Sequence, residues 1–285
     1  MGPVLIVGGD SLVGSALARQ CRAAGIATDT TSRRGGAEIP FDLARPDHGA
    51  LSGGRWDAVY LCAAVTDMRA CQNEPVATRR VNVDNTIELM RRLAAGGAHM
   101  VFFSTSQVFD GVSPAPAEDA VPNPRNEYGA QKLAVERAVA RLDLPVAILR
   151  ITKVVGERPT GILGTWRRTL AGDGPIVAAD NLALSPVAVA DVGSLARRLA
   201  AGRHRGIWHF GAADSLGYVE AARLMAERVG QPAVRVRGEA LTEAQLPSIL
   251  RLGNERLACG KVESLLGIAP RPSREVLAEL FARSL

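Results

Sequence analysis

Tyr128 and Lys132 lie four residues apart in Tyr128-Gly129-Ala130-Gln131-Lys132. The stretch reads as helix from Asn126 to Leu142, so the pair shares one helical face. At about 100° per residue, Val135, Val139 and Leu142 fall with them inside an arc of roughly 80°. A lysine on such an apolar, sheet-facing stripe is out of place structurally. It has a use in chemistry. A tyrosine ionises near a pH of about 10, too high for efficient proton exchange at neutral pH. A nearby ammonium stabilises the phenolate and lowers that value. Only three of the 34 basic residues are lysine, namely Lys132, Lys153 and Lys261. In a chain that otherwise uses arginine, a lysine marks a place for a compact, titratable ammonium. The preceding strand ends in Ser104-Thr105-Ser106-Gln107, whose hydroxyls reach the same edge. One of them can hydrogen-bond a reacting carbonyl.

A second constellation stands at the start of the chain. The apolar run Pro3–Gly8 leads into Gly8-Gly9-Asp10-Ser11-Leu12-Val13-Gly14, and a helix follows. The spacing is that of GxxGxxG with Ser11 in the middle place. Glycine at 8 allows a tight turn, and glycine at 14 lets helix pack closely on strand. The free amides of Ser11, Leu12 and Val13 can hold a pyrophosphate. Ser11 adds a side chain where the backbone approaches the phosphates. An acidic residue for a ribose 2′-hydroxyl is expected at the end of the second strand. The chain has Thr30-Thr31-Ser32-Arg33-Arg34 there. A carboxylate repels a 2′-phosphate, whereas the hydroxyl of Ser32 and the guanidinium of Arg33 can hold one. The expected cofactor is NADP(H) in preference to NAD(H).

These groups need a scaffold that brings strand ends together. Strands are expected at Pro3–Gly8, Ile26–Ser32, Ala37–Phe41, Asp57–Cys62, His99–Ser104 and Pro145–Ile151. Helices are expected at Ser11–Ala24 (closed by Gly25), Glu74–Ala95 and Asn126–Leu142. Strand–helix alternation of this kind predicts an α/β fold with a doubly wound parallel sheet. After about residue 156 the pattern loosens. Helices are expected at Thr160–Ala171, Asp191–Ala201, Leu216–Val229 and Ser273–Arg283, with strands at Gly206–Phe210 and Val234–Arg237. The reading is a nucleotide-binding domain over 1–156 and a smaller α/β lobe over 157–285 that returns one or two segments to the main sheet.

Composition narrows the function classes. Hydrophobic residues make up 47% of the 285 and charged residues 22%, which is a globular balance. No apolar run approaches the roughly 18 residues of a membrane span. The N-terminal apolar run stops at Gly8-Gly9-Asp10 without a basic region before it, so no signal peptide is expected. Cys21, Cys62, Cys71 and Cys259 form no CxxC pair, and the four histidines show no ligand spacing. No metal is expected, and reduced thiols suit a cytoplasmic protein. The charge of +5 and pI near 9.4 admit anionic partners. No basic run of five occurs and aromatics are only 4%, so a nucleic-acid platform is not expected.

With these motifs in place, the chain resembles the extended short-chain dehydrogenase/reductases, and within them the dTDP-4-dehydrorhamnose reductase-like branch. The likeness rests on Val7 to Gly14, Cys62-Ala63-Ala64-Val65-Thr66, Val81-Asn82-Val83 and Ser104 to Gly111. It continues in Asn126 to Lys132, Arg150 to Gly156 and Ser185-Pro186-Val187. The resemblance implies a Rossmann-type fold in which Thr105 orients the substrate carbonyl and Tyr128 exchanges the proton. Lys132 would hold the nicotinamide ribose and depress the tyrosine. Asp42 and Leu43 would flank the adenine, Ala63, Ala64 and Val65 would line the cofactor, and Asn82 and Ser104 would join its site. The later lobe would bind a nucleotide-sugar, and a homodimer is expected.

Departures from the branch shape the substrate expectation. It usually has Asp-Tyr after the threonine, where this chain has Ser106-Gln107, and a tryptophan where Lys153 stands. Gln107 and Lys153 are thus expected among the substrate-binding residues, Lys153 as a cation just past the nicotinamide. Related 4,6-dehydratases carry acids after the threonine, a job Ser106 and Gln107 cannot do. Epimerases retain NAD, against which the missing acid at Thr31 argues. The leading reading is an NADPH-dependent reductase of a nucleotide-linked 4-keto sugar. The alternatives are a nucleotide-sugar epimerase and a non-catalytic, nucleotide-binding regulatory subunit. The intact Thr105, Tyr128 and Lys132 argue against the last.

Overall fold

A computed structural model describes residues 1–51, 53–242 and 255–282. The chain divides into two compact units. One comprises Met1–Val108, Pro122–Arg150 and Ala190–Trp208; the other comprises Phe109–Val121, Ile151–Val189 and His209–Leu285. Neither is a continuous segment, so the division is not a single cut after residue 156.

The first unit is built on β1 (Val4–Val7), β2 (Thr28–Ser32), β3 (Ile39–Pro40), β4 (Ala58–Leu61), β5 (His99–Thr105) and β6 (Val146–Ile151). The sheet order is β3-β2-β1-β4-β5-β6, with Gly206–Phe210 beyond β6 as the seventh strand. The pairings from β3 through β5 are all parallel. Every residue of β1, β4 and β5 is buried, as a sheet covered on both faces requires. Helices α1 (Leu12–Ala23), α2 (Met68–Asn73), α3 (Pro75–Arg79), α4 (Thr86–Ala95) and α5 (Glu127–Arg141) follow. Their inner faces join the sheet in a core that includes Leu5, Val59, Leu89, Met100, Val135 and Ile148.

The helix expected over Glu74–Ala95 is divided. Asp67 caps α2 by accepting from the amides of Arg69 and Ala70, so helix begins earlier. Glu74 leaves helical geometry at φ −127°, and Pro75 opens α3 at a position where its missing N–H costs nothing. Between α3 and α4, residues Arg80–Asn85 form a wide π turn. Its cause lies in the tertiary bonds of two asparagines described below. Gly25, expected to close α1, follows the cap residue Ala24 in a left-handed conformation, φ +70°.

The second unit is made of short strand pairs. Lys153–Val155 lies parallel to Pro186–Ala188, Ile176–Ala179 parallel to Val236–Glu239, and Ala183–Leu184 antiparallel to Leu216–Gly217. The strand expected at Val234–Arg237 starts later, because Pro232 leads into a short turn at Ala233–Arg235. Helices Gly161–Ala171, Tyr218–Arg228, Gly260–Leu266 and Ser273–Ala282 complete it. Its own core contains Trp166, Leu170, Leu224, Leu277 and Phe281. The expected end of the last helix at Arg283 lies outside the described residues. Among the described residues, no helix is long and apolar enough to cross a membrane, and no group of three or more His, Cys, Asp or Glu could hold a metal.

Candidate active site

The site is organised by the last three residues of β5, each of which is tied down by a different bond. The Phe103 carbonyl accepts from Lys132 Nζ at 2.8 Å. The Ser104 hydroxyl donates to Glu136 Oε1 at 2.5 Å. Thr105 Oγ1 accepts from the Gln107 amide at 3.1 Å, which leaves its own proton to be donated. Two of the three partners, Lys132 and Glu136, are one turn apart on α5.

Helix α5 reaches this edge because its first turn can approach very closely. Asn126 caps it, its Oδ1 accepting from Gly129 N at 2.8 Å, while its Nδ2 donates to Gln107 Oε1 at 2.9 Å. A Cβ on Gly129 would stand 2.0 Å from the Gln107 carbonyl oxygen, so only glycine permits the contact. Tyr128, half-buried, directly precedes Gly129 and so stands in the turn of α5 that meets Gln107.

Lys132 is 5% exposed. Its ammonium lies 4.6 Å from the centre of the Phe102 ring and 5.9 Å from that of Tyr128. Two ring faces and one carbonyl compensate only part of the lost water. Burial accordingly lowers its pKa to about 8. The expectation that Lys132 depresses Tyr128 needs correction: burial pushes the phenol up, well above its ordinary value. The cost of taking the phenolate out of water is the largest cause, and Cys71 adds to it. Tyr128 is thus held in its protonated form.

The glycine loop has the geometry of a phosphate cradle. Gly8 turns the chain at φ +87°, where a side chain would also strike the Ala63 backbone. A Cβ on Gly14 would stand 2.2 Å from the Gly8 carbonyl. Ser11 does not obstruct this loop. Its Oγ folds back, accepting from Gly14 N at 3.0 Å and donating to Gly8 O at 2.8 Å. The first-turn amides of Leu12 and Val13 have no carbonyl four residues back in the helix to bond. The residues present therefore fit a dinucleotide pyrophosphate.

At the end of β2, Thr31 Oγ1 accepts from Gly8 N at 3.1 Å, which fixes the loop. Ser32 is buried and its hydroxyl accepts from Arg34 N, so it shapes the turn rather than facing outward. Arg34 faces Asp10 at 3.7 Å. Arg33 is exposed and makes no ion pair among the described residues. Glu38 brings an acid to this region that strand spacing did not indicate. It accepts from Thr30 N and Oγ1, and that hydroxyl bond lowers its pKa. Engaged there and with Arg22, it does not restore the missing acid at the strand end.

Ala63, Ala64 and Val65 continue from β4 as a half-buried loop. Asn82 holds this loop rather than standing free for a ligand. Its Oδ1 accepts from Val65 N at 2.8 Å, and its Nδ2 donates to Val65 O at 2.9 Å and Gln131 Oε1 at 2.7 Å. Three residues on, Asn85 Nδ2 donates to Leu43 O at 2.8 Å, while Asp42 Oδ1 accepts from Ala44 N. The π turn thus fastens both loops expected to border the cofactor. Ser104 is likewise redirected, away from a ligand and onto Glu136. Gln107 keeps its amide N–H groups, its oxygen being taken by Asn126. Lys153 lies in the second unit. It is exposed, and the acid whose charge it faces there is Glu255. Gln131, Glu136 and Arg150 were not singled out by sequence. Their only signal was polar side chains on the buried stripe of α5 and inside β6.

Three comparisons bear on this arrangement. The family model described as RmlD substrate binding domain matches residues 1–285. Methionine adenosyltransferase 2 subunit beta of Bos taurus is 29% identical over 228 residues, covering 74% of this chain. The match spans 65% of that relative's own length, under two thirds. dTDP-4-dehydrorhamnose reductase of Mycolicibacterium smegmatis is 32% identical over 242 residues, covering 82% of this chain and 71% of the relative. The crystal structure of dTDP-4-dehydrorhamnose reductase from Bacillus anthracis in complex with NADP superposes with a TM-score of 0.87. It covers 100% of both chains at 21% identity, which establishes the shared fold.

Proposed function

The chain belongs to the RmlD substrate binding domain family, the dTDP-4-dehydrorhamnose reductase-like branch of the extended short-chain dehydrogenase/reductases, and from that premise we propose that it is an NADPH-dependent reductase of a nucleotide-linked 4-keto sugar. The observation that carries this reading is the convergence of Thr105, Tyr128 and Lys132 on the end of β5, with the lysine buried and pinned to Phe103 O. The dinucleotide, when bound, supplies a hydride to the carbonyl carbon. Thr105 donates its hydroxyl to the carbonyl oxygen and orients it. Tyr128, kept protonated by burial, gives that oxygen its proton. Lys132 offsets the phenolate that results and holds the nicotinamide ribose. Gly8, Ser11, Leu12, Val13 and Gly14 form the pyrophosphate cradle, and Arg33 reads the 2′-phosphate. Ala63, Ala64, Val65, Asp42 and Leu43 line the cofactor through positions that Asn82 and Asn85 fix. Gln107 offers amide donors to the sugar. Unlinked thiols support a cytoplasmic placement, and a homodimer is part of the same proposal.

A second reading has one specific observation behind it. Relatives named as subunit beta of methionine adenosyltransferase match this chain, which favours a nucleotide-binding subunit of another enzyme. One experiment separates the readings. The purified chain is incubated with NADPH or NADH and a panel of nucleotide-linked 4-keto sugars, and loss of reduced nicotinamide is followed. Stoichiometric oxidation of NADPH supports the reductase. Sugar interconversion without net oxidation marks an epimerase. Tight NADPH binding with no turnover on any sugar favours the subunit.

A further inference from the structure

Residues 128, 132 and 136 recur at four-residue spacing along one face of α5. The first two have a role in the reaction proposed above; Glu136 has none yet. Its carboxylate is gripped by Arg150 of β6, with Nε at 3.1 and 3.2 Å from the two oxygens and Nη2 at 2.7 Å. Ser104 Oγ donates to the same carboxylate. The two side chains are only 1% and 3% exposed. A pair this deep is a poor device for stability alone, because apolar residues of similar volume serve a core as well or better. Its position is the informative fact: one helical turn from Lys132, and bonded to the residue between Phe103, which holds Lys132, and Thr105.

We propose that Glu136 and Arg150 are positioning residues for Lys132, a buried pair that fixes the end of β5 against α5 and keeps the lysine charged in a dry site. The groups around the ammonium support this. On β5 it meets the Phe102 ring and the Phe103 carbonyl; on α5, Tyr128 and Glu136. Cys62, just after β4, and Cys71 on α2 also face it. Burial raises both thiols and the phenol, so these three stay neutral near neutral pH. Glu136 is the carboxylate that opposes the burial of Lys132. Arg150, with its two-point hold, fixes the Glu136 carboxylate in a place that water does not reach.

The inference rests on the role given to Lys132 above, but its test does not use activity. The chain has three lysines, so protein isotope-labelled at lysine Cε gives three signals, assigned through Lys153→Arg and Lys261→Arg. The Lys132 signal titrates near pH 8 in the unaltered protein. In Glu136→Gln its midpoint falls by about one pH unit or more, a tenfold loss of proton affinity, while Lys153 and Lys261 stay in place. Because Glu136→Gln strands the Arg150 guanidinium, which itself opposes the ammonium, the companion variant Glu136→Gln/Arg150→Met removes both charges and is expected to give a smaller fall in the same direction. A Lys132 midpoint that does not move in the folded double variant overturns the proposal and leaves the pair a structural cross-link. A shifted midpoint in a protein that oxidises NADPH on no sugar upholds this inference and refutes the proposed function instead.

Discussion

The ends of β5 and β2 reach the same edge of one sheet, yet they are built in opposite ways. At β5 buried polar groups are bonded to partners on other segments: Phe103 to Lys132, Ser104 to Glu136, and Glu136 in turn to Arg150. Past the end of β2 the arginines are exposed; among the described residues Arg34 has one loose contact with Asp10, and Arg33 makes no ion pair. Proton exchange tolerates little positional error, and burial with mutual bonding supplies the rigidity. Recognition of a phosphate charge tolerates water and motion, so long exposed side chains serve. Alterations at β5 should therefore change rate, and those at β2 should change only affinity.

The largest effect is expected at the bonded end. Tyr128→Phe keeps the ring and removes the proton, so turnover of the identified sugar should fall by about 10² or more, with NADPH affinity preserved. Unchanged turnover would remove Tyr128 from the reaction and erase the contrast with β2. The next effect is one of pH. Lys132 titrates near 8 when folded, against an ordinary value of 10.5. As pH rises through about 8 the ammonium is lost, and the rate should fall up to about tenfold per pH unit beyond it. Stability has the opposite sign. Between those values the unfolded chain holds the proton and the folded chain does not, so unfolding free energy should rise with pH there. Paired rate and denaturant measurements across this range check both signs, and parallel trends would show that Lys132 is not the group observed.

At the solvated end, Arg33→Ala should weaken NADPH by roughly 1.5–3 kcal/mol, the scale of a charged hydrogen bond, and leave NADH nearly untouched. Calorimetric titration of the two cofactors decides it; equal losses mean that Arg33 does not read the 2′-phosphate. The smallest effect is expected at Lys153. Exposed and facing Glu255, it has the surroundings of a solvated lysine. Lys153→Met should change KM for the sugar by less than about threefold, well under 1.4 kcal/mol. A tenfold rise would return it to the substrate site and add a third kind of region to the comparison.

How much of this was legible in the chain depends on the range of the interaction. The Gly8–Gly14 turn and the Tyr128–Lys132 pair follow from local periodicity, and the structure keeps both geometries. Strand positions and their burial followed from apolar runs. What sequence could not give was direction. Ser104 and Asn82 stand at the expected edge, but their polar atoms turn inward, to Glu136 and to the Val65 backbone. The partner of Ser104 is 32 residues away, and Gln131 is 49 residues from Asn82. Nor could propensity reveal the break in the long helix, because Arg80–Asn85 contains neither proline nor glycine. The return of a later segment to the main sheet was legible, since Gly206–Phe210 joins it and Ala190–Trp208 belongs to the first unit; the passage of Phe109–Val121 into the second unit was not.

That break behaves as a counted spacer. A π turn contains one residue more than an α turn of the same rise, so deleting a single residue between Arg80 and Asn85 would let an unbroken α-helix form. Local helix energy would improve. The helix on either side would keep its place, because the α turn spans the same rise, but Asn82 and Asn85 would change direction relative to each other and could no longer face their two loops together. A sequence designer who optimised this segment for helicity would thus improve the helix and dismantle what it holds. The property to preserve in Arg80–Asn85 is its length, ahead of its composition.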